Sequence, residues 1–176
     1  IKEMDLVVGA NAFSDAGYRT QNYLEQIRLN IKFKHTPTKI KGFSYGINSN
    51  LQWQSSSDFF IWIDADSGAF MQNSSTVTPT YGHRINIDPW IIYYDKSNNK
   101  HSLLTRYYDV TNNFDDDTDK NNASKSYYGE YQFQKKFNFG LNWVVGLVGK
   151  YGDIVPRSNG SARPTSARNR PQNTSS

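Results

Sequence analysis

The stretch "YLEQIRLNIKFK" (residues 23–34) alternates apolar and polar side chains over most of its length. Its odd positions from 27 to 33 are apolar, and its even positions from 26 to 34 are polar. A helix would align Leu24, Ile27 and Ile31 but would leave Leu29 and Phe33 outside the apolar stripe. The stretch is therefore predicted to be a β-strand with one apolar and one polar face.

The same alternation recurs along the chain and predicts seven strands. They cover residues 5–13, 23–34, 43–54, 84–94, 101–108, 126–134 and 139–151. Most reach roughly nine to twelve residues, whereas strands of ordinary globular domains cluster at about five or six. A tilted strand that crosses a bilayer needs about nine to eleven residues. Strand length therefore favours an up-and-down membrane barrel over a soluble sandwich.

The connections between these strands alternate in predicted length. Those at 14–22, 55–83 and 109–124 are longer, and those at 35–42, 95–100 and 135–138 are shorter. An up-and-down barrel places every second connection at the same rim, and outer-membrane barrels have short turns at one rim and long loops at the other. Aromatic residues near the predicted strand ends, as in interfacial girdles, agree with this interpretation: Tyr23, Phe33, Phe43, Trp53, Trp90, Tyr93, Tyr107, Tyr127 and Tyr151.

Composition excludes several classes of protein. The chain has no cysteine, so disulfides and thiolate metal sites are excluded, and three scattered histidines lack metal-ligand spacing. The net charge of +4 arises in residues 154–176, which hold four arginines and no acid. That segment also lacks aromatic groups for base stacking, so nucleic-acid binding is not predicted. We predict a body at residues 1–153 and a disordered basic tail at 154–176.

Gly42-Phe43-Ser44-Tyr45-Gly46 matches the G-x-S-x-G pattern of a serine-hydrolase nucleophile elbow. An elbow requires a helix after the serine, yet period-two alternation continues to Gln54. Gly42 is better explained by a turn and Gly46 by close packing on a strand. No catalytic residue and no enzymatic activity are predicted, although an esterase or phospholipase that uses Ser44 stays as a remote alternative.

Two predicted loops have unusual composition. The segment "NFDDDTDKNN" (113–122) spaces Asp115, Asp117 and Asp119 as in a calcium loop, but Lys120 replaces the required glycine and Ser126 the final glutamate. An EF-hand is excluded, and a solvated acidic loop is favoured over an irregular calcium site. The segment "DFFIWIDADSGAF" (58–70) is too apolar for a solvent-exposed loop that makes no packing contacts. Packing across a barrel mouth is favoured over strand extension or ligand contact.

The body resembles part of the β-barrel of TonB-dependent outer-membrane receptors. The resemblance covers roughly residues 1–152 and is carried by "GYRTQNYLEQIRLNIKFKHTPTKIKGFSYGINSN" (17–50), "SDFFIWIDADSGAF" (57–70), "DPWIIYYDKSNNKHSLLTRYY" (88–108) and "SKSYYGEYQFQKKF" (124–137). It implies a 22-stranded barrel around a plug domain, located in the Gram-negative outer membrane, contacting TonB and importing a scarce nutrient such as a ferric siderophore. No cofactor is implied.

The chain departs from the pattern of a complete receptor. We predict about seven strands, no plug and no TonB box, and Ser176 stands where such receptors usually end in an aromatic residue. The expected fold is thus an open antiparallel segment of a 22-stranded barrel. The alternative is a soluble all-β binding module, such as one that binds carbohydrate. In the barrel interpretation the residues predicted to face lipid are Ile27, Leu29, Ile31, Phe33, Ile47, Leu51 and Trp53. Those predicted to face the lumen or plug are Gln26, Arg28, Asn30, Lys32, Asn48, Asn50 and Gln52.

Overall fold

A computed structural model describes residues 3–66, 68–115 and 118–156. The strands are β1 (Met4–Asp15), β2 (Tyr23–His35), β3 (Phe43–Asp58), β4 (Thr78–Tyr94), β5 (Lys100–Phe114), β6 (Asn122–Lys136) and β7 (Asn142–Pro156). Two single turns of 3-10 helix, Ser74–Thr76 and Thr118–Lys120, lie in connections. No helix in the described ranges has the length and apolarity needed to span a membrane.

The seven strands form one open sheet in the order β1-β2-β3-β4-β5-β6-β7. Every pair of neighbours is antiparallel, which confirms the prediction of an all-β antiparallel meander. Within the described residues β1 pairs only with β2 and β7 only with β6. The sheet therefore has two unpaired edges.

All seven predicted strands are present, and most are longer than predicted. β4 begins at Thr78 instead of residue 84, and β5 continues to Phe114 instead of residue 108. These extensions, TPTYGH (78–83) and DVTNNF (109–114), are mostly polar and lack the apolar alternation by which strands are recognised. β7 begins later than predicted, at Asn142 instead of residue 139, because residues 139–141 lie in the preceding turn. Its other end, Pro156, lies three residues beyond the predicted body boundary, and residues 157–176 lie outside the described part.

The connections lie at two ends of the sheet. We call the end with residues 16–22, 59–77 and 115–121 the loop rim, and the end with residues 36–42, 95–99 and 137–141 the turn rim. The first two connections contain seven residues each, so the predicted contrast in length is wrong for that pair. It holds for the other two pairs, most clearly for residues 59–77 against 95–99.

The sheet has almost no conventional core. Among the described residues Ala123 is the one hydrophobic side chain that is buried. Contacts between elements run almost entirely between neighbouring strands, so no second layer within this part covers either face. Backbone pairing holds the sheet together, and its large apolar side chains stay exposed.

Candidate functional site: two faces and two rims of the sheet

The strand register assigns every side chain to a face, because directly opposite residues point to the same side. All seven residues predicted to face lipid lie on one side, with Ile27 opposite Trp53, Leu29 opposite Leu51, Phe33 opposite Ile47, and Ile31 between them. The same face, here called the apolar face, continues through Leu6, Val8, Ile85, Ile87, Ile91, Leu103, Val145 and Leu147.

The apolar face is uncovered. Leu147 is 76% exposed, Leu6 65% and Ile27 60%. A single exposed leucine is ordinary, but a contiguous apolar surface that crosses a whole sheet marks contact with protein or membrane. The exposed side chains therefore identify this face as a contact surface.

Aromatic rings border the apolar face at both rims. The turn-rim belt consists of Phe33, Phe43, Tyr45, Tyr93, Tyr131, Phe133 and Trp143, with His35 and His101 among them. Ring centroids are 5.8 Å apart for Phe43–Tyr45 and 6.5 Å apart for Phe133–Trp143. The loop-rim belt consists of Trp53, Tyr81, Tyr107, Tyr127 and Tyr151, in which Tyr127 lies 5.3 Å from Tyr107 and 6.3 Å from Tyr151.

The spacing of the belts fits a membrane-sized band. Trp143 and Tyr151 are eight residues apart on β7, which is about 26 Å along a strand at about 3.3 Å per residue. Phe43 and Trp53, ten residues apart on β3, are about 33 Å apart on the same scale. Barrel girdles enclose an apolar band about 25 Å tall, and a strand tilted by about 40° covers about 20–25 Å of height over these two lengths. Through the register, Tyr107 in β5 lies four residues nearer the turn rim than Trp53 in β3. A belt that shifts from strand to strand is expected where strands are tilted.

One residue of the predicted girdle belongs to the other face. Trp90 points to the polar side, where its ring packs over Gly46. Tyr45, Tyr131 and Trp143 were missed as belt members. They occupy the same alternating positions as the apolar residues, and only the register between strands aligns them.

The face opposite the apolar face, called the polar face, carries ladders of hydrogen bonds. Arg28 Nη2 donates to Gln52 Oε1 at 2.9 Å, and Asn50 Nδ2 donates to Asn30 Oδ1 at 2.6 Å. Both pairs join residues predicted to face the lumen or plug, and the register places all seven of those residues on this face. The buried Arg28 Nε has no hydrogen-bond partner among the described residues.

An ion pair lies in a depression of the polar face. Arg106 Nε and Nη2 donate to the two carboxylate oxygens of Asp88 at 2.7 and 2.8 Å, and Asn86 Nδ2 donates to Oδ2 at 3.0 Å. The depression has a volume of about 880 Å³ and is also lined by Tyr128 and Lys150. This side of the sheet is suited to water or to a polar protein surface.

The two histidines at the turn rim each contact a carboxylate and a tyrosine. His35 Nε2 lies 3.7 Å from Glu3 Oε2, and its Nδ1 is 3.0 Å from the Tyr45 hydroxyl. His101 Nε2 lies 3.7 Å from Asp95 Oδ2, and its Nδ1 is 2.7 Å from the hydroxyl of Tyr131. These contacts orient both imidazole rings among the aromatic side chains of the turn-rim belt. In the described ranges no group of three potential ligands is placed to hold a metal ion.

At the loop rim, residues 59–77 fold against residues 16–22. Arg19 stacks on the rings of Tyr18 and Phe59, with its guanidinium 4.9 and 4.6 Å from their centroids, and the Thr20 N–H donates to the Phe70 carbonyl at 2.8 Å. β3 ends at Asp58, so the segment does not extend that strand. It packs on the neighbouring connection and leaves Phe60 87% exposed, and packing across a barrel mouth stays a prediction.

Ser44 is the second residue of β3, and the strand continues for fourteen residues beyond it to Asp58. Gly42 has a φ of 77° in the turn before the strand, a conformation that favours glycine. At Gly46 a side chain would collide with the Trp90 ring and the Phe33 carbonyl. Both glycines thus have structural explanations, and no helix follows Ser44 as an elbow requires.

The acidic loop is described only in part, because Asp117 of the calcium-like pattern lies outside the described residues. Asp115 and Asp119 lie at the loop rim, and Asn121 Oδ1 accepts a hydrogen bond from the Phe114 N–H at 2.7 Å.

Comparisons with protein-family models, with curated proteins and with solved structures found no match to this chain.

Proposed function

We propose that this chain is part of the barrel wall of a TonB-dependent outer-membrane receptor that imports a scarce nutrient such as a ferric siderophore. The observation that carries the proposal is an exposed apolar face bordered by two aromatic belts, opposite a face of polar ladders. This is the arrangement of a strand layer with lipid on one side and a polar interior on the other. In such a protein the chain has no catalytic role.

The unpaired edges support a segment of a larger barrel. Open edges are not tolerated in hydrocarbon, where every backbone polar group needs a protein partner. β1 and β7 run in the same direction, because an odd number of antiparallel strands separates one edge from the other. Antiparallel closure therefore requires an odd number of additional strands, and a 22-stranded barrel satisfies this parity.

The polar face supports a filled interior. Buried charges and amides need partners, and Arg28 Nε has none among the described residues. In a receptor of this class the plug domain would cover this face, and TonB would couple the transport cycle to the inner membrane. The loop rim, with its packed aromatic residues and Arg19, would face the nutrient.

A partition experiment tests the proposal. The complete 176-residue chain is diluted from urea into phosphatidylcholine vesicles, which are then floated on a density gradient and washed at alkaline pH. A barrel wall, whose open edges can pair between copies of the chain, is expected to float with the vesicles, resist the wash and require detergent for release. A chain that stays soluble and monodisperse in detergent-free buffer would contradict the proposal and favour a soluble all-β binding module.

A further inference from the structure

Charge is divided unequally between the two rims of the sheet. Each rim comprises the connections at that end of the sheet and the residues within two positions of a strand end there. At the turn rim these are Lys34, Lys39, Lys41, Lys96, Lys100, Lys135 and Lys136, against Glu3, Asp5 and Asp95. At the loop rim the described acids are Asp15, Glu25, Asp58, Asp64, Asp66, Asp115 and Asp119, against Arg19 and Lys120. One rim is therefore basic and the other acidic.

The turn-rim lysines are available for an external anion. Within the described residues none of the seven forms a salt bridge with a carboxylate. Lys39, Lys96 and Lys136 are exposed, one at each of the three turns. Lys135 keeps its ammonium group 4.9 Å from the centre of the Phe137 ring. The positive charge is thus distributed along the whole rim.

Exposed apolar side chains accompany these lysines. Phe139 is 77% exposed, Leu141 52% and Ile40 51%, and all three lie in the turns of this rim. The turn-rim belt lies directly beside them on the apolar face. A surface that combines lysines, exposed apolar groups and an aromatic belt matches the boundary between lipid headgroups and acyl chains.

We propose that the turn rim binds the headgroups of anionic glycerophospholipids. This inference rests on the proposed function, because it requires the apolar face to lie in a bilayer. The lysines then reach the phosphate layer while the aromatic belt marks the edge of the hydrocarbon. The acidic loop rim would be repelled by the same lipids, so the charge division also favours one orientation of the sheet across the membrane.

The expected effect is large enough to measure. A basic residue near an anionic membrane surface contributes about 1 kcal/mol to binding, which corresponds to about a fivefold change in affinity. Removing three lysines is therefore expected to weaken binding to anionic vesicles by about 100-fold. Binding to zwitterionic vesicles should change little, since it depends on the apolar face.

The experiment compares charge-matched variants of the complete chain. Because the segment beyond residue 156 contains four arginines, all variants carry Arg157, Arg163, Arg168 and Arg170 replaced by glutamine. In that background, the rim variant replaces Lys39, Lys96 and Lys136 by glutamine. The control variant replaces Lys120, Lys125 and Lys150, none of which lies at the turn rim. Flotation is titrated on phosphatidylcholine vesicles with and without about a third of phosphatidylglycerol.

The inference predicts tighter binding to the anionic vesicles, lost in the rim variant and retained in the control. If both variants lose this tighter binding equally, the attraction depends on the total charge of the chain and not on the turn rim, and the inference is overturned. The chain with only the four arginines replaced is the parent of both variants. If it binds equally to both kinds of vesicle, the inference is overturned as well, but the proposed function is left standing. Failure to float on either kind would overturn both proposals.

Discussion

Neighbouring residues of one strand have opposite environments in this sheet. Leu29 points to the apolar face between the two belts, opposite Leu51. Asn30 points to the polar face, where it accepts a hydrogen bond from Asn50. The same substitution at these adjacent positions therefore separates the effect of the face from the effect of the added side chain.

We expect Leu29→Arg to block membrane assembly and Asn30→Arg to be tolerated. An arginine on the lipid side near the bilayer centre costs about 2–4 kcal/mol, whereas Asn30→Arg loses one hydrogen bond, about 1 kcal/mol. The measurement is the fraction of each variant recovered with floated vesicles. Equal damage from the two changes would count against the assignment of lipid and lumen faces.

A second residue-scale prediction concerns Gly46. A Cβ at this position would lie 2.6 Å from the Trp90 ring, and overpacking of this kind costs typically about 1–3 kcal/mol. Gly46→Ala should therefore lower the free energy of unfolding by about that amount, measured by urea titration in detergent micelles. Gly9→Ala is the matched control, because a Cβ there meets nothing within 4 Å; similar losses in both variants would refute the packing role of Gly46.

At the scale of single elements, Asp95 organises the β4–β5 turn. Its Oδ1 accepts from the Ser97 and Asn99 N–H groups at 2.8 and 2.9 Å, and its Oδ2 accepts from Asn99 Nδ2 at 2.8 Å. The side-chain bond from Asn99, followed by its backbone bond, lowers the pKa of Asp95 below the ordinary value of 3.8. A lowered folded-state pKa gives stability that is present above the unfolded pKa and is lost as the pH falls through the folded pKa.

Asp95→Ala should therefore reduce stability at pH 7 and have a progressively smaller effect as the pH falls below about 4. Urea unfolding of wild type and variant in micelles, followed from pH 7 to pH 2.5, measures this difference. Ser97→Ala serves as the control, because Ser97 contributes its backbone N–H and should leave the profile unchanged. A difference that is constant with pH would rule out the carboxylate as its source.

The existence of the seven strands was largely predictable from the sequence, whereas their first and last residues were not. All seven strands appear in the alternation, since a strand with two different environments requires period two whatever its neighbours are. The extension of β4 back to Thr78 was missed, because polar ends of strands project beyond the region in which the faces differ. The belt members Tyr45 and Trp143 were missed because their alignment depends on pairing between strands.

At the scale of the whole molecule, one open layer presents four distinct surfaces. The apolar face and the polar face are separated by the thickness of a single sheet, and the basic and acidic rims by the length of a strand. Neither face is covered within the described part, and both edges lack partners. The partition experiment and the charge-matched rim variants address this arrangement directly, since both depend on how the complete sheet meets a bilayer.

The sequence alone determined that the chain is all-β, that its strands are long, and that each has an apolar and a polar side. These properties are local, because the pleat alternates side chains without reference to any other strand. Only the tertiary structure decided the register, because pairing is selected by turn geometry and cross-strand packing. The register is what aligns the rings of six strands, β2 to β7, into two belts and joins Arg106 to Asp88. The antiparallel order is what gathers lysines from three separate turns at one rim.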